Sequence, residues 1–231
     1  RLATISVEPG SEPLDFGLVA NRDGAPAYSP DGRWIACEAG IEHNHWPFAG
    51  YVHLFPAEGG ASRRLAPTAD LHPALLGWDE AGSGVYVADQ TALSSQIVFL
   101  PVDGSDMTVS VAAGTLITAR SLDAANRLAL VMEDFHPPQA VYVADLRGRD
   151  GPSEPRLIVQ PAAPAEYPSG PLPRVKLLHW RTPDGFEIDG ILYLPVDYDE
   201  ASGRKLPLLM HVHGGPAAVF QRQFAATPYY Y

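Results

Sequence analysis

The residue types best suited to chemistry lie in one short segment near the end of the sequence. An apolar run there leads into two histidines, two glycines and a proline, giving LPLLMHVHGGP over residues 206–216. Consecutive glycines let a backbone N–H approach a reacting group closely, because no Cβ stands in the way. The apolar run before them, 206–212, has the composition of a strand buried on both faces in an α/β sheet. We therefore predict a strand that ends in a glycine turn.

Two pairs of histidines have a spacing that could also bind a metal. His43 and His45 form one pair, and His211 and His213 form the other. Residues two apart lie on the same side of a strand, but zinc needs further ligands, and no third ligand stands out near either pair. We expect no metal site and no cofactor. His43 and His45 fall in GIEHNHWPFAG, which we interpret as a surface loop.

Composition excludes several classes of partner. A hydrophobic content of 46% is typical of a folded globular chain rather than a disordered one. The net charge of −11 and the lack of any basic cluster beyond Arg63 and Arg64 argue against nucleic acid. No apolar run reaches the eighteen residues of a membrane span. Cys37 is the sole cysteine, so no internal disulfide is expected, and its apolar neighbours predict a buried side chain.

Short β-branched and aromatic runs separated by turn residues dominate the first 160 residues, and they recur with a fixed period. Three similar turns carry Asp31, Asp79 and Asp123, which are 48 and then 44 residues apart. Each turn precedes an apolar strand, and its carboxylate is suited to binding backbone N–H groups. A period of about 45 residues with several short strands is typical of a β-propeller blade. Residues 1–160 thus predict about three blades and the tail of a fourth.

The chain changes character after residue 160. Residues 161–173, PAAPAEYPSGPLP, are rich in proline and are predicted to form an extended linker. The strands 175–180 and 186–194 then flank the turn Thr182-Pro-Asp-Gly185, in which Pro fixes φ and Gly accepts a positive φ. This pattern predicts a β-hairpin, followed by the apolar strand 206–212.

Together, the blades, the proline-rich crossing, the hairpin segment DGFEIDGILYLP and HVHGGP resemble the prolyl oligopeptidase family of serine peptidases. The similarity is greatest to the acylaminoacyl-peptidase and dipeptidyl-peptidase-like branches. It implies a mainly β chain: a partial propeller over 1–160, the linker 161–173, and the first strands of an α/β-hydrolase domain over 174–231. The family pattern also implies more blades before Arg1 and most of the hydrolase domain after Tyr231.

The resemblance implies hydrolysis of short peptides by a Ser-Asp-His triad, with the propeller limiting access to the site. In this fold the loop after the third strand contributes to the oxyanion hole. The residues that carry over are His213, Gly214 and Gly215. Some family members have a tyrosine at the position of His213 and donate through its hydroxyl, so histidine here leaves backbone amides as the expected donors.

No residue of this chain carries over to the triad. The three residues follow the oxyanion loop in the order Ser, Asp, His, yet 214–231 contains none of these types, and no G-x-S-x-G occurs anywhere. We therefore expect the 231-residue chain to be inactive alone, with its catalytic residues in a further segment or a second chain.

Two other classes of function stay open. One is a non-catalytic propeller module that binds a protein or peptide and keeps a vestigial hydrolase stub. The other is an esterase, since an HGG loop also serves ester hydrolysis, although esterases seldom carry propeller repeats. The sequence is compatible with a homo-oligomer but does not fix the oligomeric state. It also fixes neither the substrate preference nor the cellular location.

Overall fold

The structure is a computed structural model that describes residues 2–17, 25–40, 49–162, 171–215 and 218–224. Within these ranges the chain forms fifteen β-strands and two 3₁₀ helices. All strand pairs are antiparallel. No helix in the described ranges is both long and apolar enough to cross a membrane.

A short two-stranded sheet and a four-stranded sheet come first. The strands of the pair are β1 (Ala3–Thr4) and β2 (Leu14–Asp15). The strands of the four-stranded sheet, in spatial order, are β3 (Ala27–Tyr28), β4 (Trp34–Gly40), β5 (Gly50–Pro56) and β6 (Arg63–Arg64). Consecutive strands are neighbours, as in a propeller blade. The small pair corresponds to the predicted tail of an earlier blade.

The second and third blades form one continuous seven-stranded sheet. Its strands are β7 (Ala74–Trp78), β8 (Gly84–Thr91), β9 (Ser94–Pro101), β10 (Thr108–Leu122), β11 (Arg127–Glu133), β12 (Ala140–Asp145) and β13 (Arg156–Val159). The fifteen-residue β10 belongs to both blades: Thr108–Thr115 pairs with β9, and Leu116–Leu122 pairs with β11. The register shifts before Thr115, next to Gly114, whose φ is +137°. Glycine commonly marks such a bulge in a strand.

The core consists of the interfaces between neighbouring blades. Along β8, Val85 and Val87 pack towards the first blade, whereas Tyr86 and Ala88 pack towards the third. A strand covered on both sides has no polar face, which explains why β8 is apolar at consecutive positions. A third cluster joins Leu2 to Ile35, Cys37 and Phe55 of the first blade. Cys37 is buried there, as predicted.

The predicted role of the recurring aspartates is confirmed. Asp31 Oδ1 accepts the amide of Arg33 at 3.0 Å, and Asp79 Oδ1 accepts that of Gly84 at 2.9 Å. Asp123 Oδ1 likewise accepts the amide of Arg127 at 2.8 Å. In each blade the carboxylate therefore closes the turn that leads into the second strand.

The chain beyond the linker forms the predicted hairpin. Strand β14 (Arg174–Arg181) pairs with β15 (Glu187–Leu194) over their whole length. The turn between them is closed by hydrogen bonds from Thr182 N to Phe186 O at 2.8 Å and from Gly185 N to Thr182 O at 2.9 Å. A 3₁₀ helix follows at Glu200–Ser202, and another, Gly148–Asp150, follows β12. Only the ends of the predicted linker are described, because 163–170 lie outside the described residues.

The predicted strand 206–212 does not form. The segment has no regular secondary structure, and Leu208, Leu209 and Met210 have 74%, 90% and 75% of their surfaces exposed. A strand needs a neighbour for its backbone hydrogen bonds. Among the described residues, the hairpin strands pair only with each other and no strand lies beside 206–212. An apolar composition alone therefore does not produce the strand.

Candidate functional site

The glycine turn predicted as an oxyanion loop lies on the surface of the described structure. His213, Gly214 and Gly215 are exposed, and Gly215 has a φ of +131°. No group in the described ranges accepts a hydrogen bond from the amide of Gly214 or Gly215. A Cβ at Gly214 would meet no described atom within 4 Å. The loop thus presents two backbone amides that bind no described group, on an open face of the described structure.

The side chain of His213 is turned towards its own loop and a nearby aromatic ring. Its Nδ1 lies 3.1 Å from Gly214 O, and it donates a hydrogen bond to this oxygen in the tautomer that carries a proton on Nδ1. The ring of Phe220 packs edge-on against His213, with centroids 5.9 Å apart, and against His211 at 5.1 Å. Phe220 thereby links the glycine loop to the segment 218–224 that follows it.

Segment 218–224 lies across the second and third blades. The guanidinium of Arg222 forms a bidentate ion pair with Asp134, with Nε–Oδ1 at 3.0 Å and Nη2–Oδ2 at 2.8 Å. Both side chains are 22% exposed. Arg222 also lies over the ring of Phe135, and its backbone amide donates to Leu93 O at 2.9 Å. Parallel N–H···O bonds of this kind fix orientation as well as distance.

A second carboxylate of the third blade holds the same segment. Glu133 Oε2 accepts the amide of Phe224 at 3.0 Å, and Glu133 Oε1 accepts from Gln139 Nε2 at 3.3 Å. Glu133 is buried and ends β11, and Asp134 is the next residue. We call Glu133 and Asp134 the acidic corner. Both carboxylates bind protein groups.

The linker and the hairpin reach the blade beside this acidic corner. His136 Nε2 lies 3.0 Å from Pro173 O, directly before β14. The rings of Phe135 and Tyr193 pack at right angles, with centroids 6.2 Å apart. The loop that leaves β11 therefore contacts both the end of the linker and the hairpin.

Sequence reasoning did not identify this contact region. Glu133 and Asp134 are two acidic side chains in a predicted blade, and nothing in their spacing distinguishes them from the turn aspartates. Arg222 lies 88 residues from its partner. The one available signal was an arginine shortly after the glycine turn, which is weak because arginine is common on surfaces.

The structure tests the other sequence predictions only in part. His43 and His45 lie outside the described residues, so their loop stays a prediction. His211 and His213 are described, and within the described ranges no group of three or more His, Cys, Asp or Glu side chains could hold a metal. The expected roles of His213, Gly214 and Gly215 also stay predictions.

The described fold is similar to those of several solved structures. A variant of AtxE2 isopeptidase with Astexin3-dC4 bound aligns with 89% of the chain at a TM-score of 0.65 and 18% identity. The apo form of AtxE2 isopeptidase aligns with 78% of it at 0.59 and 19% identity. A dipeptidyl aminopeptidase IV-like protein from Bacteroides ovatus aligns with 87% of it at 0.62 and 14% identity.

At these identities the similarity establishes the fold alone. The chain spans 29%, 26% and 30% of the lengths of those three structures. No protein-family profile and no curated protein matches the sequence. The comparisons thus support the predicted fold class of a mainly β, propeller-containing chain. They do not identify catalytic residues.

Proposed function

We propose that this chain forms the propeller blades and the oxyanion loop of a serine peptidase of the prolyl oligopeptidase type. One observation carries the proposal: the segment that follows the HGG turn is bound to the blades through Arg222 and the acidic corner. A turn with unpaired amides is thereby held beside the propeller. The AtxE2 isopeptidase and dipeptidyl aminopeptidase IV-like folds support the same assignment.

The expected chemistry is acyl transfer from a short peptide to water. A serine hydroxyl attacks the scissile carbonyl, a histidine takes its proton, and an aspartate orients that histidine. We propose that these three residues lie outside the 231 residues. The amides of Gly214 and Gly215 would donate to the oxyanion that forms on the carbonyl oxygen. One such donor is worth about 2.7–4 kcal/mol of transition-state stabilisation.

If the triad lies outside the 231 residues, the complete protein and the 231-residue chain should differ in activity. The protein expressed from the complete coding sequence should react stoichiometrically with a fluorophosphonate probe and hydrolyse peptidyl-coumarin amides. The 231-residue chain, as the matched control, should do neither, because it has no nucleophile elbow. We propose to test dipeptidyl, N-acylaminoacyl and prolyl substrates side by side, together with p-nitrophenyl acetate.

The oxyanion assignment is tested by Gly215→Ala in the complete protein. A φ of +131° is rarely adopted by residues with a side chain, so alanine should rotate the peptide group and point its N–H away from the oxyanion. We expect kcat to fall by about 10²–10³, the effect of losing one oxyanion donor. A complete coding sequence without a serine that reacts with the probe would instead favour the binding module, and turnover of the ester alone would favour an esterase.

A further inference from the structure

We propose that Asp134, Glu133 and Arg222 are positioning residues that set the place of the oxyanion loop relative to the propeller. This inference rests on the proposed function, and it gives the acidic corner a role that the triad chemistry does not. The carboxylates would act through segment 218–224 and would not contact substrate.

The contacts of Arg222 bind the segment to two blades at once. Its guanidinium is held by Asp134, directly after β11 of the third blade, and stacks on Phe135. Its amide donates to Leu93 O in the turn between β8 and β9 of the second blade. Two residues later, the amide of Phe224 donates to Glu133. With three separate anchors, the segment cannot slide along the blades without breaking hydrogen bonds.

Phe220 transmits this position to the loop. It lies two residues before Arg222, and its ring contacts the rings of both His211 and His213. An edge-on aromatic pair has a preferred distance and angle, so a shift of Phe220 would disturb the packing of His211 and of His213, which directly precedes Gly214. Displacements of about 1 Å at a reacting centre can cost about 10²-fold in rate.

Partial burial makes this ion pair suitable for holding a position. Asp134 and Arg222 are each 22% exposed. The pair of Asp103 and Arg149, also between a carboxylate and a guanidinium, is 57% and 45% exposed. Water screens an exposed pair more strongly than a half-buried one. Asp103 is therefore a matched control for Asp134.

The first test measures the anchoring itself, with trypsin under native conditions. Cleavage after Arg222 requires the segment to leave the blades, so its rate follows the population of the released form. In the complete protein, Asp134→Asn should raise cleavage at Arg222 by about tenfold, since a charge-assisted bidentate pair is lost. Asp103→Asn should leave the rate as in the wild type. An unchanged rate in Asp134→Asn would overturn the proposal.

The second test separates positioning from folding. Asp134→Asn should lower kcat about tenfold while KM stays within about twofold and the Tm of the propeller is retained, because the substrate still binds. The reversed pair, Asp134→Arg with Arg222→Asp, should recover part of the kcat that each single change loses. Wild-type kcat in Asp134→Asn, or a double variant no better than either single one, would contradict the role.

The two tests also separate this inference from the function on which it rests. Trypsin cleavage at Arg222 requires no peptidase activity. A wild-type protein that hydrolyses no substrate would refute the proposed function. An active wild type with Asp134→Asn kinetics unchanged would refute the positioning role alone.

Discussion

The hydroxyl of Tyr86 accepts a hydrogen bond of 2.8 Å from the backbone amide of Gly148, 62 residues further along the chain. Tyr86 is fully buried in the core between the second and third blades, where its ring packs against Phe99 at 5.1 Å. Burial raises the pKa of its phenol. The bond joins the second strand of one blade to the 3₁₀ turn that follows the third strand of the next.

Tyr86→Phe is expected to destabilise the protein by about 1–2 kcal/mol. The ring contacts remain, but the part-buried amide of Gly148 loses its acceptor, and an unsatisfied buried donor costs about 1–3 kcal/mol. Urea unfolding followed by tryptophan fluorescence measures the change. Tyr142→Phe serves as the control, because its ring also packs against this core. Equal effects of the two substitutions would show that the Tyr86–Gly148 bond adds nothing.

Gly84→Ala is expected to disrupt packing at the start of β8. An added Cβ would lie 2.3 Å from Phe99 Cζ and 2.6 Å from Leu100 O. The ring and the neighbouring strand would have to move, and overpacking of this kind costs about 1–3 kcal/mol or more. Gly214→Ala, whose Cβ meets no described atom within 4 Å, should keep the wild-type free energy of unfolding. Thermal unfolding of both variants provides the comparison, and a wild-type Tm for Gly84→Ala would contradict this packing.

Asp79→Ala should cost more stability than Asp123→Ala, although the two residues close equivalent turns. Asp79 is buried and accepts from Gly84 N and Ser83 Oγ, at 2.9 and 2.8 Å. Its loss leaves a buried amide unpaired, at about 1–3 kcal/mol. The side chain of Asp123 is 40% exposed, so water can replace it. Chemical denaturation gives both values, and a larger loss for Asp123→Ala would contradict the burial argument.

The hairpin should contribute more stability at low pH than at high pH. A hydrogen bond with Asp189, with Nδ1–Oδ1 at 3.0 Å, raises the pKa of His179 above 6.5. Because the folded-state pKa is the higher one, the contribution is full below the unfolded-state pKa and is lost as pH rises through the folded value. Chemical-shift titration of the His179 ring measures this pKa.

Asp189→Asn is the matched control for this titration. Without the carboxylate, the pKa of His179 should move back towards 6.5, and the pH dependence of hairpin stability should shrink. A wild-type His179 that titrates at or below 6.5 would contradict the contact.

Much of the fold could be predicted from the sequence because its signals are local. The turn carboxylates Asp31, Asp79 and Asp123 act on amides two to five residues away. The Pro-Asp-Gly turn sets the register of the hairpin in the same way. Turn chemistry of this kind is complete within a few residues, so its period along the chain indicates blades before any tertiary contact is known.

Features that depend on distant partners were settled only by the tertiary structure. The apolar run 206–212 has the composition of a strand, yet no described strand lies beside it to accept its hydrogen bonds. Residues 108–122 form one strand because 108–115 pair with β9 and 116–122 pair with β11.

The candidate site shows the same division. HVHGGP could be identified as a glycine turn from its letters alone, whereas the partner of Arg222 is 88 residues away at Asp134. By itself the sequence determined which residues could turn, cap or expose an amide, because those properties belong to each residue and its immediate neighbours. The tertiary structure decided which of them meet, because a contact requires both partners to be brought to the same place by the folding of the chain between them.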